Sequence, residues 1–372
     1  MCGQGHVISA QTVPPLAGAL GLRTFGRKSV NLQWNAVRRL DPTQIKTSRP
    51  FSSIATMYEH VFREFEAYAN AVQHADLRCL IPRLESPTWS ISHFDLGGVL
   101  LQRASEGGGN IAQGVARNDG YVLYVQRSGT WGRVNGVQLE PGDVAFLEPG
   151  AEFCIASDDA HDWSSVFVPA ERLSPAAARS CDRSKTDHET RVLHPGIETS
   201  GHLLSLVDRL AYNAAIDPAV LTHSASISSV REEVASSFHR IVGCIPSGTT
   251  QHIGRPALSR REILEKAVTL AEERPDVPNS VRSLAVGVGV SERTLRKAFS
   301  EYFGMPPFRF FVLRRLHTAR HRLRSGDPDQ ITVSEVAVEL GFWDVGRFAG
   351  RYRSLFNEFP SETLRTRRSP AR

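Results

Sequence analysis

The hydrophobic period changes along the chain. From Met57 to Val72 the apolar residues Val61, Phe62, Phe65, Tyr68 and Ala69 recur at helical spacing, which predicts one amphipathic helix. Between Trp89 and Val168 short β-type runs take over: Trp89–Phe94, Val99–Arg103, Tyr121–Gln126, Val137–Leu139, Val144–Leu147, Phe153–Ala156 and Trp163–Val168. Asn135-Gly136 has the chemistry of a tight hairpin turn, and Pro141-Gly142-Asp143 and Pro149-Gly150 punctuate the strands around Val144–Leu147. These runs predict a sandwich or small barrel. Helical spacing returns at His202–Tyr212 and Ile227–Val242, an antiparallel pair that either closes the β core or presents a dimerisation face. Pro246 to Pro256, rich in Ser, Gly and Thr, reads as a linker.

Beyond the linker the pattern is helical and repeats. Val281 to Gly304 predicts a short helix ending at Gly289, a turn through Val290, and a second helix capped by Ser291. Leu284, Ala285 and Val288 face inward from the first, and Leu295, Ala298, Phe299 and Tyr302 from the second. Arg293, Arg296, Lys297 and Ser300 then lie on the opposite face, the long cationic and polar set that a helix needs to meet base edges and phosphates in a major groove. Leu284-Ala285, Gly289 and Val290 return as Val336-Ala337, Gly341 and Phe342, and Leu295 and Phe299 return as Phe348 and Tyr352, with one extra residue in the second turn. Between the two units Phe308, Phe311, Val312, Leu316, Ala319 and Leu323 form an apolar stripe on a spacer helix. About sixteen helical residues span about 24 Å, a spacing suited to placing two helices about one DNA turn, roughly 34 Å, apart. Arg314, Arg315, Arg320, Arg322 and Arg324 occupy its other faces, as phosphate contacts or as charge that keeps the helix soluble.

Composition sharpens this picture. With 372 residues and 41% hydrophobic content the chain accommodates two folded units. Residues 258–372 hold 21 Lys and Arg against 14 Asp and Glu, a net of +7, which leaves −2 for residues 1–257 of a chain whose formal net charge is +5. The basic part is C-terminal, which suits polyanion binding or equally a solvated helical surface. No run of eighteen apolar residues and no cationic leader with an apolar stretch occurs, so the expected location is cytoplasmic, with no membrane partner. Cys2, Cys79, Cys154, Cys181 and Cys244 are scattered and are expected to be buried free thiols. The expected plan is a poorly ordered leader over 1–50, a sheet-rich unit with its helix pair over 51–245, a linker over 246–257, an all-α unit over 258–366, and a tail over 367–372.

Residues 258–365 resemble the DNA-binding domain of the AraC/XylS transcription regulators. The match rests on Leu284-Ala285 with Gly289-Val290-Ser291, Leu295 and Phe299 with Phe303-Gly304-Met305-Pro306-Pro307, Arg315-Leu316 with Ala319, and Ile331–Phe342 continuing into Tyr352-Arg353, Phe356 and Pro360. Pro141–Gly150 resembles the second half of a cupin motif, and residues 89–170 look like the cupin-type sensing domain often fused to such regulators. Gly341-Phe342-Trp343 with Gly346-Arg347-Phe348 is similar to the variant in regulators of the ethanolamine-operon type. The resemblance implies an α+β multidomain fold: a cupin-like β-sandwich or barrel with a helix pair, then two helix-turn-helix units joined by a linker helix. It also implies promoter DNA and RNA polymerase as partners, a small-molecule effector, a homodimer, and activation rather than repression.

The DNA contacts it implies are Ser291, Arg293, Thr294, Arg296, Lys297 and Ser300 in the first unit, and Gly346, Arg347, Gly350, Arg351 and Arg353 in the second. Two departures stand out. Asn357 sits where the family usually has a helix-ending Gly, a change that the left-handed tolerance of Asn permits. Gly346, Ala349 and Gly350 occupy the positions held by Arg293, Arg296 and Lys297 in the first unit, which predicts asymmetric reading. The first helix reads bases, and the second approaches closely and holds phosphates with Arg347, Arg351 and Arg353.

Trp131, Phe153 and Trp163 are candidate effector contacts, although aromatics on strands are more often core. A metal-dependent cupin enzyme with an accessory DNA-binding part is the rival reading, but Gly107–Gly120 carries no His. His161, alone beside Asp162, is expected at the surface or in a turn. No cofactor, metal ligand or catalytic residue is therefore expected. Nonspecific architectural DNA binding is a third reading.

Overall fold

The computed structural model describes residues 56–173, 190–217, 224–244, 259–273 and 280–366. The expected leader, linker and tail, with Cys2 and Cys181, lie outside the described residues. Among the described residues twelve strands form two sheets. They are β1 (Thr56–Phe62), β2 (Ala75–Leu80), β3 (Leu84–Asp95), β4 (Leu100–Gly108), β5 (Asn110–Ala116), β6 (Gly120–Gln126), β7 (Arg133–Val134), β8 (Val137–Gln138), β9 (Val144–Leu147), β10 (Glu152–Ser157), β11 (His161–Pro169) and β12 (Thr190–Leu193). A seven-stranded sheet runs β1-β3-β4-β11-β6-β9-β12, a five-stranded sheet runs β2-β5-β10-β7-β8, and the strand pairs are antiparallel.

Burial on both faces explains the near-continuous apolar runs of β6, β9 and β11. On one face of the large sheet Trp89, Ile91, Ala104, Tyr124, Leu147 and Trp163 cluster with Ile111, Phe153 and Ala156 of the small sheet. On the other, Phe94, Leu101, Leu123, Phe146 and Val168 pack against two helices, α2 (Ile197–Ile216) and α3 (Ser224–Val242). That pair therefore closes the core, through Leu203, Leu206, Val207, Leu210, Val234, Phe238 and Ile241. The turn at Asn135-Gly136 has φ values of 49° and 82°, the doubly positive pattern of a type I′ hairpin joining β7 to β8.

One expectation fails here. Met57–Val72 is not a single helix: Thr56–Phe62 is strand β1, and only Phe65–Ala71 forms a helix, α1. β1 pairs with β3 along its whole length, from Thr56 opposite Asp95 to Phe62 opposite Trp89, and this pairing overrides the local helical spacing. β2, β5 and β12 were not legible either. In β5 a Cβ on Gly114 would lie 2.2 Å from the Asp76 carbonyl oxygen, so glycine there serves the close approach of β2 rather than a loop.

The C-terminal part is helical: α4 (Arg260–Glu273), α5 (Val281–Val288), α6 (Glu292–Phe303), α7 (Pro307–Ser325), α8 (Val333–Glu339), α9 (Val345–Phe356) and α10 (Pro360–Arg365). The Ser280, Ser291 and Asp344 side chains each cap a helix by accepting a backbone N–H of its first turn, and Thr332 with Glu335 forms a capping box. Gly289 and Gly304 end α5 and α6 in the left-handed conformation, and Asn357 ends α9 the same way at φ 57°. The spacer α7 is one continuous helix of 19 residues. Its buried stripe is Phe310, Phe311, Leu313, Leu316, Ala319 and Leu323, whereas Phe308 is exposed. Phe310 takes the inward place in the first turn because its ring stacks on Phe303 at 4.2 Å.

Candidate nucleic-acid interface and interior cavity

In α6 the residues Leu295, Ala298, Phe299 and Phe303 are buried, and this single apolar stripe fixes the rotation of the helix. Ser291, Arg293, Thr294, Arg296, Lys297 and Ser300 are consequently all exposed. Arg296 lies 3.4 Å from Glu292 and Lys297 lies 3.7 Å from Glu301. Such exposed i, i+4 pairs are worth a few tenths of a kcal/mol, about 0.3–0.5, so a phosphate readily displaces them. Arg293 carries no ion pair among the described residues.

In α9 the buried set is Phe348, Tyr352, Leu355 and Phe356, with the Tyr352 hydroxyl 2.8 Å from Thr363 Oγ1. Gly346, Arg347, Gly350, Arg351 and Arg353 are exposed. A Cβ on Gly350 would meet nothing within 4 Å, and one on Gly346 only Asp344 Oδ1 at 3.5 Å, so neither glycine is required by packing. The Arg353 guanidinium lies 4.5 Å from the centre of the Phe359 ring. Trp343, just before α9, is 81% exposed. The sequence marked it only within the motif Gly341-Phe342-Trp343 and gave it no contact; the signal was a large aromatic with no helical register to bury it.

Among the arginines of α7, Arg320 is buried, Arg314, Arg315 and Arg322 are half-buried, and Arg309 and Arg324 are exposed. Arg320 is 6% exposed and bonds Glu64 (2.8 Å), Glu66 (3.0 Å) and Glu358. Arg314 pairs with Glu272 at 2.9 Å, Arg322 with Glu339, and Arg324 with Glu64, while Arg315 lies over the Phe342 ring at 5.3 Å. Ion pairs with carboxylates, rather than free solvated charge, thus describe Arg314, Arg320, Arg322 and Arg324. For Arg320 and Arg324 the acidic partners Glu64 and Glu66 are distant in sequence.

The sheets and helices are packed on one another. Ile81 donates its backbone N–H to His317 Nε2 of α7 at 3.0 Å, and Phe65, His317 and Phe356 form a ring cluster with centroid separations of 5.1–6.4 Å. Burial pushes the His317 imidazole down to about 4. Arg261 of α4 pairs with Glu152 of β10, and Tyr302 of α6 lies against Gly136. A cleft of about 500 Å³ runs between β10 and α4, and Glu152, Cys154, Arg261, Leu264 and Tyr302 are among the residues lining it.

A second cavity, of about 60 Å³, lies between the two sheets. Phe153 and Trp163 line it. Trp131 does not; it is half-buried at the margin, where its carbonyl accepts from Gln138. His161 also lines the cavity and is buried, with Nδ1 3.1 Å from the Asp159 carbonyl oxygen, so it is neither at the surface nor in a turn. The polar lining comes from residues that sequence reasoning missed: Tyr68, His74, Glu106, Asn110, Tyr124 and Ser165. Glu106 Oε1 accepts from the Tyr68 hydroxyl at 2.9 Å and from Trp163 Nε1 at 2.8 Å, and His74 Nδ1 is 2.8 Å from Ser165 Oγ. A charged residue on a strand ordinarily reads as solvent-facing, so only the register reveals Glu106. Among the described residues no group of three His, Cys, Asp or Glu is placed to hold a metal ion. Cys154 is buried, Cys79 half-buried, and Cys244 exposed, contrary to the expectation of uniformly buried thiols.

Two capped helix-turn-helix units with apolar inner faces and cationic outer faces, following a two-sheet unit, define a DNA-binding transcription regulator. Residues 284–366 match a family model described as a helix-turn-helix domain. The chain is 26% identical over 306 residues to XylDLEGF operon transcriptional activator 3 of Pseudomonas putida, covering 80% of this chain and 88% of that one. It is 40% identical over 112 residues to a probable thc operon regulatory protein of Rhodococcus erythropolis, covering 30% of this chain and 33% of the other. It is also similar to the solved AraC-like transcriptional activator CuxR, at 14% identity over 72% of this chain and 96% of that chain with a TM-score of 0.39. The chain is thus similar to AraC/XylS-type transcription regulators and carries their helix-turn-helix domain at residues 284–366. Among the described residues no helix is long and apolar enough to cross a membrane.

Proposed function

We propose that the chain is an effector-responsive activator that reads promoter DNA through α6 and anchors on the backbone through α9. Residues 258–366 serve as the DNA-binding part, 51–245 as a cupin-like sensor, and 246–257 as the linker. One observation carries the reading: Arg293, Arg296, Lys297, Thr294, Ser291 and Ser300 all lie on the exposed side of a helix whose opposite side is locked into the core. Long cationic side chains there suit base edges and phosphates. On α9, Gly346 and Gly350 leave room for the backbone to approach DNA, with Arg347, Arg351 and Arg353 around them as phosphate ligands and Trp343 as an added apolar contact. Relatives named as operon transcriptional activators support activation; RNA polymerase contact and dimer formation on DNA, in the compartment that holds the chromosome, are part of the same proposal.

The sensor acts through β10. Phe153 faces the cavity, while its neighbours Glu152 and Cys154 line the cleft with Arg261 and Tyr302, so a ligand that moves β10 moves the seat of α4 and α6. A ligand shifts this balance only by binding one arrangement more tightly than the other. The test is selection of bound sites from a random duplex pool at fixed salt, with wild type, Arg296→Ala and Arg347→Ala. Arg296→Ala is expected to relax base preference in one half-site, at about 1–3 kcal/mol for that contact, and Arg347→Ala to weaken all sites evenly and flatten the salt dependence. Equal loss of discrimination in both half-sites ends the asymmetric reading, and failure to enrich any sequence supports architectural binding instead.

A further inference from the structure

The interior cavity is mostly apolar, and the polar side chains in its lining are buried. Four buried polar atoms of its lining have no hydrogen-bond partner: Glu106 Oε2, Asn110 Oδ1, Tyr124 Oη and His74 Nε2. Leaving so many unsatisfied in one place is costly, and native interiors avoid it. Their convergence on one cavity indicates that something else completes them. Glu106 is 4% exposed, and its Oε1 is already filled by the Tyr68 hydroxyl and the Trp163 indole N–H. The free Oε2 and the free amide oxygen of Asn110 are both acceptors. Tyr124 can donate or accept. Burial holds His74 neutral, and with Nδ1 engaged by Ser165 its Nε2 contributes no positive charge to the lining.

We propose that this cavity binds a compact, uncharged or cationic molecule that donates N–H or O–H hydrogen bonds, of the amide, amidine or amine class, and that it rejects carboxylates. The inference rests on the reading of the cavity as the effector site and adds the ligand's chemistry. A carboxylate would set its negative charge beside the Glu106 carboxyl group in a water-poor interior, with no Lys or Arg among the cavity-lining residues to compensate. A donor instead satisfies Glu106 Oε2 and Asn110 Oδ1 together, and Tyr124 completes the ligand's own acceptor. Size narrows the class: the cavity measures about 60 Å³, whereas one that holds benzene measures about 150 Å³. A ligand of a few heavy atoms fits without movement. The rest of the lining, Val72, Leu77, Val122, Leu147 and Ile155 among it, is apolar and suits a short alkyl group.

The experiment uses the full-length chain and shape-matched pairs that differ in charge and donor capacity: acetamide against acetate, propionamide against propionate, and benzamide against benzoate as the oversized pair. Thermal shift and calorimetry at neutral pH read binding, and operator-duplex affinity with and without each compound reads response. The amides are expected to raise the melting temperature in a saturable way and to bind at least tenfold more tightly than their acids. Tyr124→Phe removes a hydroxyl that has no partner, so the fold is kept while amide binding falls several-fold. Glu106→Gln keeps an acceptor for Tyr68 and Trp163 but narrows the amide-to-acid ratio. Tighter binding of the acids overturns the ligand class while leaving an effector site intact. Absence of binding by every compound, with only ordered water at the four atoms in a crystal structure, overturns the proposal. Saturable amide binding that leaves operator affinity unchanged upholds the ligand class and sinks the effector reading.

Discussion

His317 is a neutral imidazole wedged between Phe65 and Phe356, and its Nε2 takes the Ile81 peptide hydrogen. Burial lowers its titration from 6.5 to about 4. Above pH 6.5 both the folded and unfolded chains carry the neutral ring, and the group adds nothing to pH dependence. Between about 6.5 and 4 the unfolded chain takes up a proton that the folded chain refuses, so stability falls with acidification through that window. The loss levels off below it, at up to about 3 kcal/mol. Urea titrations at pH 7, 5.5 and 4.5 are expected to show a falling midpoint that His317→Gln flattens. An unchanged slope in that variant assigns the acid sensitivity elsewhere. No sequence rule distinguishes this histidine from an exposed one on the same helix, because its partners come from α1, the β2–β3 connection and the end of α9.

At the scale of elements, α6 and α9 were the most legible parts of the chain, and β1 was the least. The inward stripes of α6 and α9 follow from an apolar residue every three or four positions, bounded by Ser291 and Gly304 or by Asp344 and Asn357. β1 misled because Phe62, Phe65, Tyr68 and Ala69 fit one helical face, although the chain breaks after Phe62 and only pairing with β3 decides its state. Gly350 offers a test at this scale. It lies within α9 with open space around its Cβ position, so Gly350→Ala should stabilise the folded chain by about 0.5–1 kcal/mol through helix propensity. If a bare backbone is there to meet DNA, the same change weakens operator binding several-fold while the melting temperature rises. A variant that gains stability and binds DNA as wild type shows that the close approach lies elsewhere on α9. Ser291→Ala is the complementary change: loss of its cap to the Thr294 N–H should cost about 1 kcal/mol, read as a lower denaturation midpoint.

For the whole molecule, the split into a sheet-rich and a helical part was readable from period and charge, but the joint between them was not. Arginines on a spacer helix look like phosphate ligands when only the helix is considered. Their partners, Glu64 and Glu66, are more than 250 residues away along the chain. Arg320 joins those two carboxylates on the sheet-rich side to Glu358 beyond α9 and lies over the rings of Phe356 (4.8 Å) and Phe65 (5.7 Å). The buried apolar residues around it run without interruption from the sheets into the helices, so the two parts share one core. Removing the guanidinium leaves three carboxylates facing one another at that seam. Breaking a fully buried ion pair costs about 3–5 kcal/mol, and the partial exposure of Glu64 (45%) and Glu66 (36%) places Arg320→Ala at the low end of that range. Arg324, itself 40% exposed in the same cluster, should cost less than about 1 kcal/mol when changed to Ala. The two substitutions remove the same formal charge from the same helix, so any difference between them measures burial at the seam rather than net charge. Urea unfolding followed by tryptophan fluorescence and by far-ultraviolet circular dichroism should give coincident transitions for wild type and Arg324→Ala. For Arg320→Ala the helical signal and the signal of the sheet-buried tryptophans Trp89 and Trp163 should separate, because the two parts would then unfold independently. Coincident transitions in Arg320→Ala at an unchanged midpoint would assign the coupling to the Phe65, His317 and Phe356 ring cluster alone.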